Sequence, residues 1–299
     1  MAESESDVVR QQSFEVDGVV EIDVTLMSGR VQVHLVDEPG VHVEVRHDPN
    51  ASSSWTDGLN GLLSWVSDQF GAAQQVPGGG GPVEAVRQMR LDLTGQRLRV
   101  QSSKALPLRA IPLAVIVRAP SGSHVSTRTG SADVTITGPA GRLELNTDTG
   151  EVSADRAESA AEVNSGSGAV RLGPMVGGLR AKTGSGDLEV SSIGGNTILL
   201  TGTGDVWLGA VQGDVQARTG SGDVTVADAA SGKLQMATGS GELRIGIRPG
   251  VAAQVDLSSG SGQARSELEV SSRPPATEPA LFITGRTGSG DAVVTTSSS

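Results

Sequence analysis

Apolar and polar residues alternate with a period of two from about residue 120 to 295, the pattern of half-buried β-strands. In one series of short strands the pairs Val125/Thr127, Leu143/Leu145, Ala161/Val163, Leu179/Ala181, Thr197/Leu199, Val215/Ala217 and Leu234/Met236 share a face. A second series, each after a glycine-rich turn, pairs Val134/Ile136, Val152/Ala154, Val170/Leu172, Leu188/Val190, Val206/Leu208, Val224/Val226 and Leu243/Ile245. A third apolar column recurs at Pro139, Ala157, Met175, Ile193, Val211 and Ala229 and closes each unit.

The turns between the two series read Thr/Ser-Gly-Ser/Thr-Gly-acid. Aligned on the residue after the turn, the copies fall at Asp133, Glu151, Ala169, Asp187, Asp205 and Asp223, each 18 residues beyond the last, and looser copies follow at Glu242, Gln263 and Asp291 with steps of 19, 21 and 28. A unit this short cannot bury its own apolar face, but units stacked at about 4.8 Å share a continuous one. The expected fold is therefore all-β, a parallel β-solenoid of β-helix type with about 18 residues per rung. The turn glycines are read as supplying positive φ at a tight corner.

Upstream, strands are expected at Val19–Leu26, Arg30–Leu35 and Val41–His47. If 36–40 is a loop, the last two form a hairpin that sets His34 opposite His42 with Glu44 nearby. The segment 51–85 breaks the pattern. It holds Trp55, Trp65 and Phe70, and Leu59, Leu62, Leu63, Val66 and Phe70 recur at helical spacing, which predicts a short amphipathic helix followed by the Gly78–Gly81 run. Strands resume near Met89–Leu93, Leu98–Gln101 and Leu113–Val117. The expected organisation is a disordered 1–12, N-terminal strands over 13–50, an aromatic helical insertion with a Gly-rich loop over 51–88, the solenoid array over 89–295 and a tail at 296–299.

Composition narrows the function. With 23 basic and 34 acidic residues the formal charge is −11, which repels nucleic acid and anionic membrane. The absence of cysteine removes disulfides, thiol nucleophiles and cysteine-held metals. The most apolar stretch, Ala105 to Ala119, is interrupted by Pro107, Arg109, Pro112 and Arg118, so no membrane span is expected. The acidic, polar start MAESESD shows no basic-then-apolar leader, and the expected location is cytoplasmic, with surface exposure the alternative.

The segment Ser121-Gly122-Ser123-His124-Val125, leading into Thr129-Gly130-Ser131-Ala132-Asp133-Val134 and the later TGSGDV/L turns, resembles a bacterial family of β-strand-repeat domains called putative adhesins, of unknown function. The likeness covers about residues 14–50 and 90–295. It implies a repeat fold and a surface-exposed protein, and brings no catalytic residues to carry over.

The turns suggest several chemical readings. Stacked acids about 4.8 Å apart repel by roughly 0.9 kcal/mol in a water-like medium, a cost a cation would relieve. A calcium ladder at Asp187, Asp205 and Asp223 is thus conceivable. Calcium β-rolls, however, place a residue between the last glycine and the aspartate, whereas here Asp follows Gly directly, so acids that accept turn amides are the preferred reading. Thr/Ser-x-Ser/Thr ladders resemble those of ice-binding proteins, but interleaved glycines argue for a corner rather than a flat face.

No GxSxG elbow, GxxxxGK[ST] loop or HExxH motif occurs, and no catalytic residue or cofactor is expected. The stronger signal is an interaction surface. Ile198, Leu200 and Trp207 occupy outward columns that other units fill mainly with polar residues, and with Trp55, Trp65 and Phe70 they form the expected patch. The sequence therefore predicts a non-enzymatic scaffold that binds a protein partner or itself, with a surface adhesin or ligand-binding rod as the alternative.

Overall fold

The computed structural model describes residues 8–49, 51, 81–268 and 279–297. These residues form a mostly parallel, all-β, solenoid-like fold in which two ladders of short strands enclose one apolar core. The front ladder stacks Leu143–Thr147, Ala161–Ser165, Leu179–Thr183, Thr197–Thr201 and Val215–Thr219, with Leu143 opposite Ala161, Ala161 opposite Leu179 and Leu179 opposite Thr197. The back ladder stacks Val152–Ala157, Val170–Met175, Leu188–Ile193 and Val206–Gln212, with Val152 opposite Val170 and Leu188 opposite Val206.

Parallel registry puts like residues over like. Leu145, Val163, Ala181, Leu199 and Ala217 form one interior column and Val170, Leu188, Val206 and Val224 another, all buried. Burial of each large aliphatic side chain contributes roughly 1.5–3 kcal/mol. The corner column is filled by Ala157, Met175, Ile193, Val211 and Ala229, each buried. Its first member differs from expectation. A register shift between Ala154 and Arg156 pairs Ala157 with Ala140, so buried Ala140 takes the place and Pro139 is exposed. Gly138, at φ +86°, makes the extra residue possible.

At both ends the order of layers departs from the order of the chain. The strand Leu281–Thr287 lies between the 232–238 half of Val224–Thr238 and Ala253–Ser259, while Ala292–Thr296 lies between Leu243–Ile247 and Ala264–Ser266. The last repeat copy is therefore the penultimate layer. At the other end Glu21–Leu26 sits between Arg97–Gln101 and His124–Thr129, and Gly29–Val36 between Leu113–Pro120 and Asp133–Ala140.

Antiparallel strands finish the amino-terminal end, Arg90–Thr94 on Arg97–Gln101, and Val41–His47 on Leu113–Pro120 with Val9–Phe14 beyond it. A strand thus begins at Val9, inside the segment expected to be disordered. The helix Pro82–Arg87 buries Ala85 and Val86 against this end, and Arg10 donates to the carbonyls of Arg87 and Met89 at 3.0 and 2.5 Å. These contacts cover a stack edge that would otherwise be open to another chain. The helix expected over Leu59–Phe70 lies outside the described residues.

Candidate functional site

Three features of each rung are candidates for function: the acid after the turn, the hydroxyls and glycines of the turn, and the outward side chains of the two ladders. The acids line up. Asp187 Oδ1 accepts the amide of Asp205 at 2.9 Å, Asp205 Oδ1 that of Asp223 at 2.8 Å, and Asp223 Oδ1 that of Glu242 at 2.7 Å. Asp133 does the same for Glu151, and Asp291 for Gln263, both at 2.9 Å. Each of these carboxylates is thus bonded to the backbone of the adjacent layer, which orders the column and offsets part of its mutual repulsion. Among the described residues no three His, Asp or Glu side chains converge in a way that could hold a metal ion.

The first hydroxyl of each turn points inward. Thr219 Oγ1 accepts the Gly222 amide at 3.0 Å and donates to the Gly204 carbonyl at 3.2 Å. Thr238 and Thr287 repeat both bonds with Gly241 and Gly222, and with Gly290 and Gly241. Thr183, Thr201, Thr219 and Thr238 are buried, so they are joints between layers and not an ice-facing surface.

The turn glycines serve another purpose than the expected positive φ. Positive φ occurs at Gly18, Gly29, Gly138, Gly178 and others, but not at Gly186, Gly204 or Gly222. A Cβ on Gly204 would instead lie 2.1 Å from the Gly186 carbonyl oxygen, and one on Gly222 2.0 Å from that of Gly204. Glycine is needed here because one backbone stacks directly on the next.

The expected apolar patch is divided between the ladders. Ile198 and Leu200 turn outward from the front ladder, half-buried, whereas Trp207 turns outward from the back ladder between Glu189 and Thr225. Leu199 and Leu208, both fully buried, lie between them in the core. Trp207 is 41% exposed and its ring lies along its own strand over Gly209, where a Cβ would be 3.3 Å from Cη2. Trp55, Trp65 and Phe70 lie outside the described residues.

The expected pairing of His34 with His42 does not form. Leu113–Pro120 is inserted between the two strands, and both histidines register against Arg118. His34 Nδ1 hydrogen-bonds Thr137 Oγ1 and His42 Nδ1 bonds Ser13 Oγ, each at 2.8 Å. With Arg118 in register between them, the two histidines stand on opposite sides of the inserted strand.

One feature was missed from sequence: a shallow polar groove of about 740 Å³ beside the front ladder, bounded by Arg128, Asn146, Asn164 and Lys182. Asn164 Nδ2 donates to Asn146 Oδ1 at 3.0 Å. The signal was present as two asparagines in the same outward column one rung apart.

The class is thus an all-β, mostly parallel, solenoid-like repeat protein. Residues 196–299 match the family described as Toastrack DUF4097. No curated protein matches the chain. Among solved structures it is similar to a putative adhesin from Bacteroides fragilis, at 11% identity over 97% of this chain and 98% of that one, TM-score 0.39. It is also similar to a putative lipid binding protein from Parabacteroides distasonis, at 10% identity over 97% and 95% of the two chains, TM-score 0.38. A putative adhesin from Parabacteroides merdae matches at 9% identity over 96% and 95%, TM-score 0.29.

Proposed function

We propose that this chain is a non-enzymatic interaction scaffold, a parallel β-solenoid with about 18 residues per rung that holds side chains in fixed rows for a protein partner. The observation that carries the reading is the break in the outward polar pattern at one rung, where Ile198, Leu200 and the 41%-exposed Trp207 stand among charged and polar neighbours. Apolar groups presented on a polar surface are the usual anchors of protein contacts. The test is capture of partners from extracts of the native organism by the wild-type chain, by Trp207→Ser and by the double variant Ile198→Ser, Leu200→Ser. Loss of specific partners with either variant is expected; an identical partner set with all three proteins overturns the reading.

Self-association is a second reading, favoured by the carboxyl-terminal end. There Ala253–Ser259 and Ala264–Ser266 are edge strands among the described residues, and their inward Val255 and Leu257 are only partly buried. Parallel edges of this kind pair readily with another chain. Concentration-dependent sedimentation that is abolished by Val255→Lys is the expected sign, and a single species at all concentrations counts against it.

A further inference from the structure

Five consecutive layers of the front ladder carry a charge pattern opposite to that of the whole chain. Its successive strands Leu179–Thr183, Thr197–Thr201, Val215–Thr219, 232–238 and Leu281–Thr287 stack in register. Their outward positions hold Arg180, Lys182, Arg218, Lys233 and Arg286 together with Ile198, Leu200 and Phe282, and none of the outward positions is acidic. The five cations are exposed, as is Phe282 at 42%. Among the described residues the ion pairs of this ladder lie at its amino-terminal end, where Arg97 and Arg128 meet Glu21, Asp23 and Glu144, and none involves these five cations. Exposed Glu162 lies opposite Arg180 on the strand before the strip and Asp256 opposite Thr284 on the strand after it, while Asp214, at a strand start within it, has Oδ1 engaged by the Lys233 amide at 2.8 Å.

Cations with no ion-pair partner among the described residues thus surround apolar side chains on a protein of formal charge −11. We infer that this face docks an acidic, partly apolar polypeptide segment of a partner, laid along the strip in extended form. The inference rests on the scaffold reading and names the chemistry of its partner. Charge complementarity selects an anionic ligand, and Ile198, Leu200 and Phe282 require it to bring apolar side chains as well.

Geometry selects a narrow chain over a membrane plane. The strip spans roughly 20 Å across five layers, and the carboxylate column Asp187, Asp205, Asp223 follows directly at the turns of the same rungs. A broad anionic bilayer would also meet Glu162 and Asp256, which flank the strip on the same ladder, whereas a single strand matches the width of the cation strip.

The experiment uses the full chain with a fluorescein-labelled soluble peptide alternating Glu with Leu and Val, its Lys counterpart, and phosphatidylglycerol vesicles. The acidic peptide should bind, more weakly as salt rises, and the triple variant Arg180→Glu, Lys182→Glu, Arg218→Glu should weaken it at least about tenfold. The neutral set R180Q, K182Q, R218Q, confirmed folded by its melting curve, should fall between. The inference is overturned if the wild type ignores the acidic peptide, if both triple variants bind it as tightly as the wild type, or if the vesicles are bound in preference. Unchanged peptide binding in the triple variants alongside lost partner capture in Trp207→Ser leaves the scaffold reading standing and removes this one.

Discussion

The amide of Asp223 donates to Oδ1 of Asp205 at 2.8 Å, tying the backbone of one layer to the side chain of the layer before it. The carboxylate in this column is therefore a structural acceptor. Asp205→Ala should destabilise the chain by about 1 kcal/mol, the usual net worth of such a bond, and Asp205→Asn, which keeps an acceptor oxygen, by less. Urea unfolding reads both. Because Oδ1 is already engaged, melting midpoints in EDTA and in millimolar calcium should coincide, and an upward shift with calcium would show that the column binds it.

Stacking of turn on turn makes Gly204 far less replaceable than Gly250. A Cβ at Gly204 meets the Gly186 carbonyl at 2.1 Å, whereas Gly250 has positive φ and open space around it. Gly250→Ala should cost about 1–2 kcal/mol from its left-handed backbone. Gly204→Ala should reach or exceed the roughly 1–3 kcal/mol of an overpacked core. Equal midpoints for the two variants would contradict the stacking argument.

Two buried threonines should respond in opposite directions to the same substitution. Thr219→Val leaves the Gly222 amide and the Gly204 carbonyl without their hydroxyl and should cost about 1–3 kcal/mol, with Thr219→Ser restoring most of it. Thr127 is fully buried in the column of Leu145 and Val24, and its Oγ1 has no hydrogen-bond partner among the described residues. Thr127→Val should be neutral or stabilising. Thermal melts of the pair check the contrast.

The hydrogen bond from Arg248 holds the Asp228 carboxyl below its ordinary value, and Ser297 Oγ adds a second bond at 3.2 Å. A carboxyl that ionises more readily folded than unfolded stabilises fully above its unfolded pKa of about 3.9 and loses that contribution as pH falls through the lower folded value. Wild type should therefore melt above Asp228→Asn at pH 6, with the gap closing in acid below about pH 4. A gap independent of pH over that range would assign the effect to packing.

The alternating pattern was legible because each side chain in a strand faces either core or solvent. That is why Leu143/Leu145 and Val206/Leu208 fall inward as the period of two requires. The strands at Glu21–Leu26, Gly29–Val36 and Val41–His47 were legible for the same reason. Their partners were not. Short range in sequence suggested a hairpin between the last two, but Leu113–Pro120 supplies a parallel edge for one and an antiparallel edge for the other. The division of Ile198 and Leu200 from Trp207 was hidden similarly, since outward phase along a strand does not say which way its ladder faces.

Local sequence by itself determined that strands form, where the turns fall and, apart from the place Ala140 takes from Pro139, which side chains enter the core columns, because these depend on alternation, on glycine and on hydroxyls within a few residues. Tertiary structure alone decided which layer lies against which, placing 281–296 inside 253–266 and 21–36 inside 97–120. The physical reason is that every copy of the unit presents nearly the same hydrogen-bonding edge and the same apolar columns. Any copy can stack on any other, and the connecting segments and end contacts select among them.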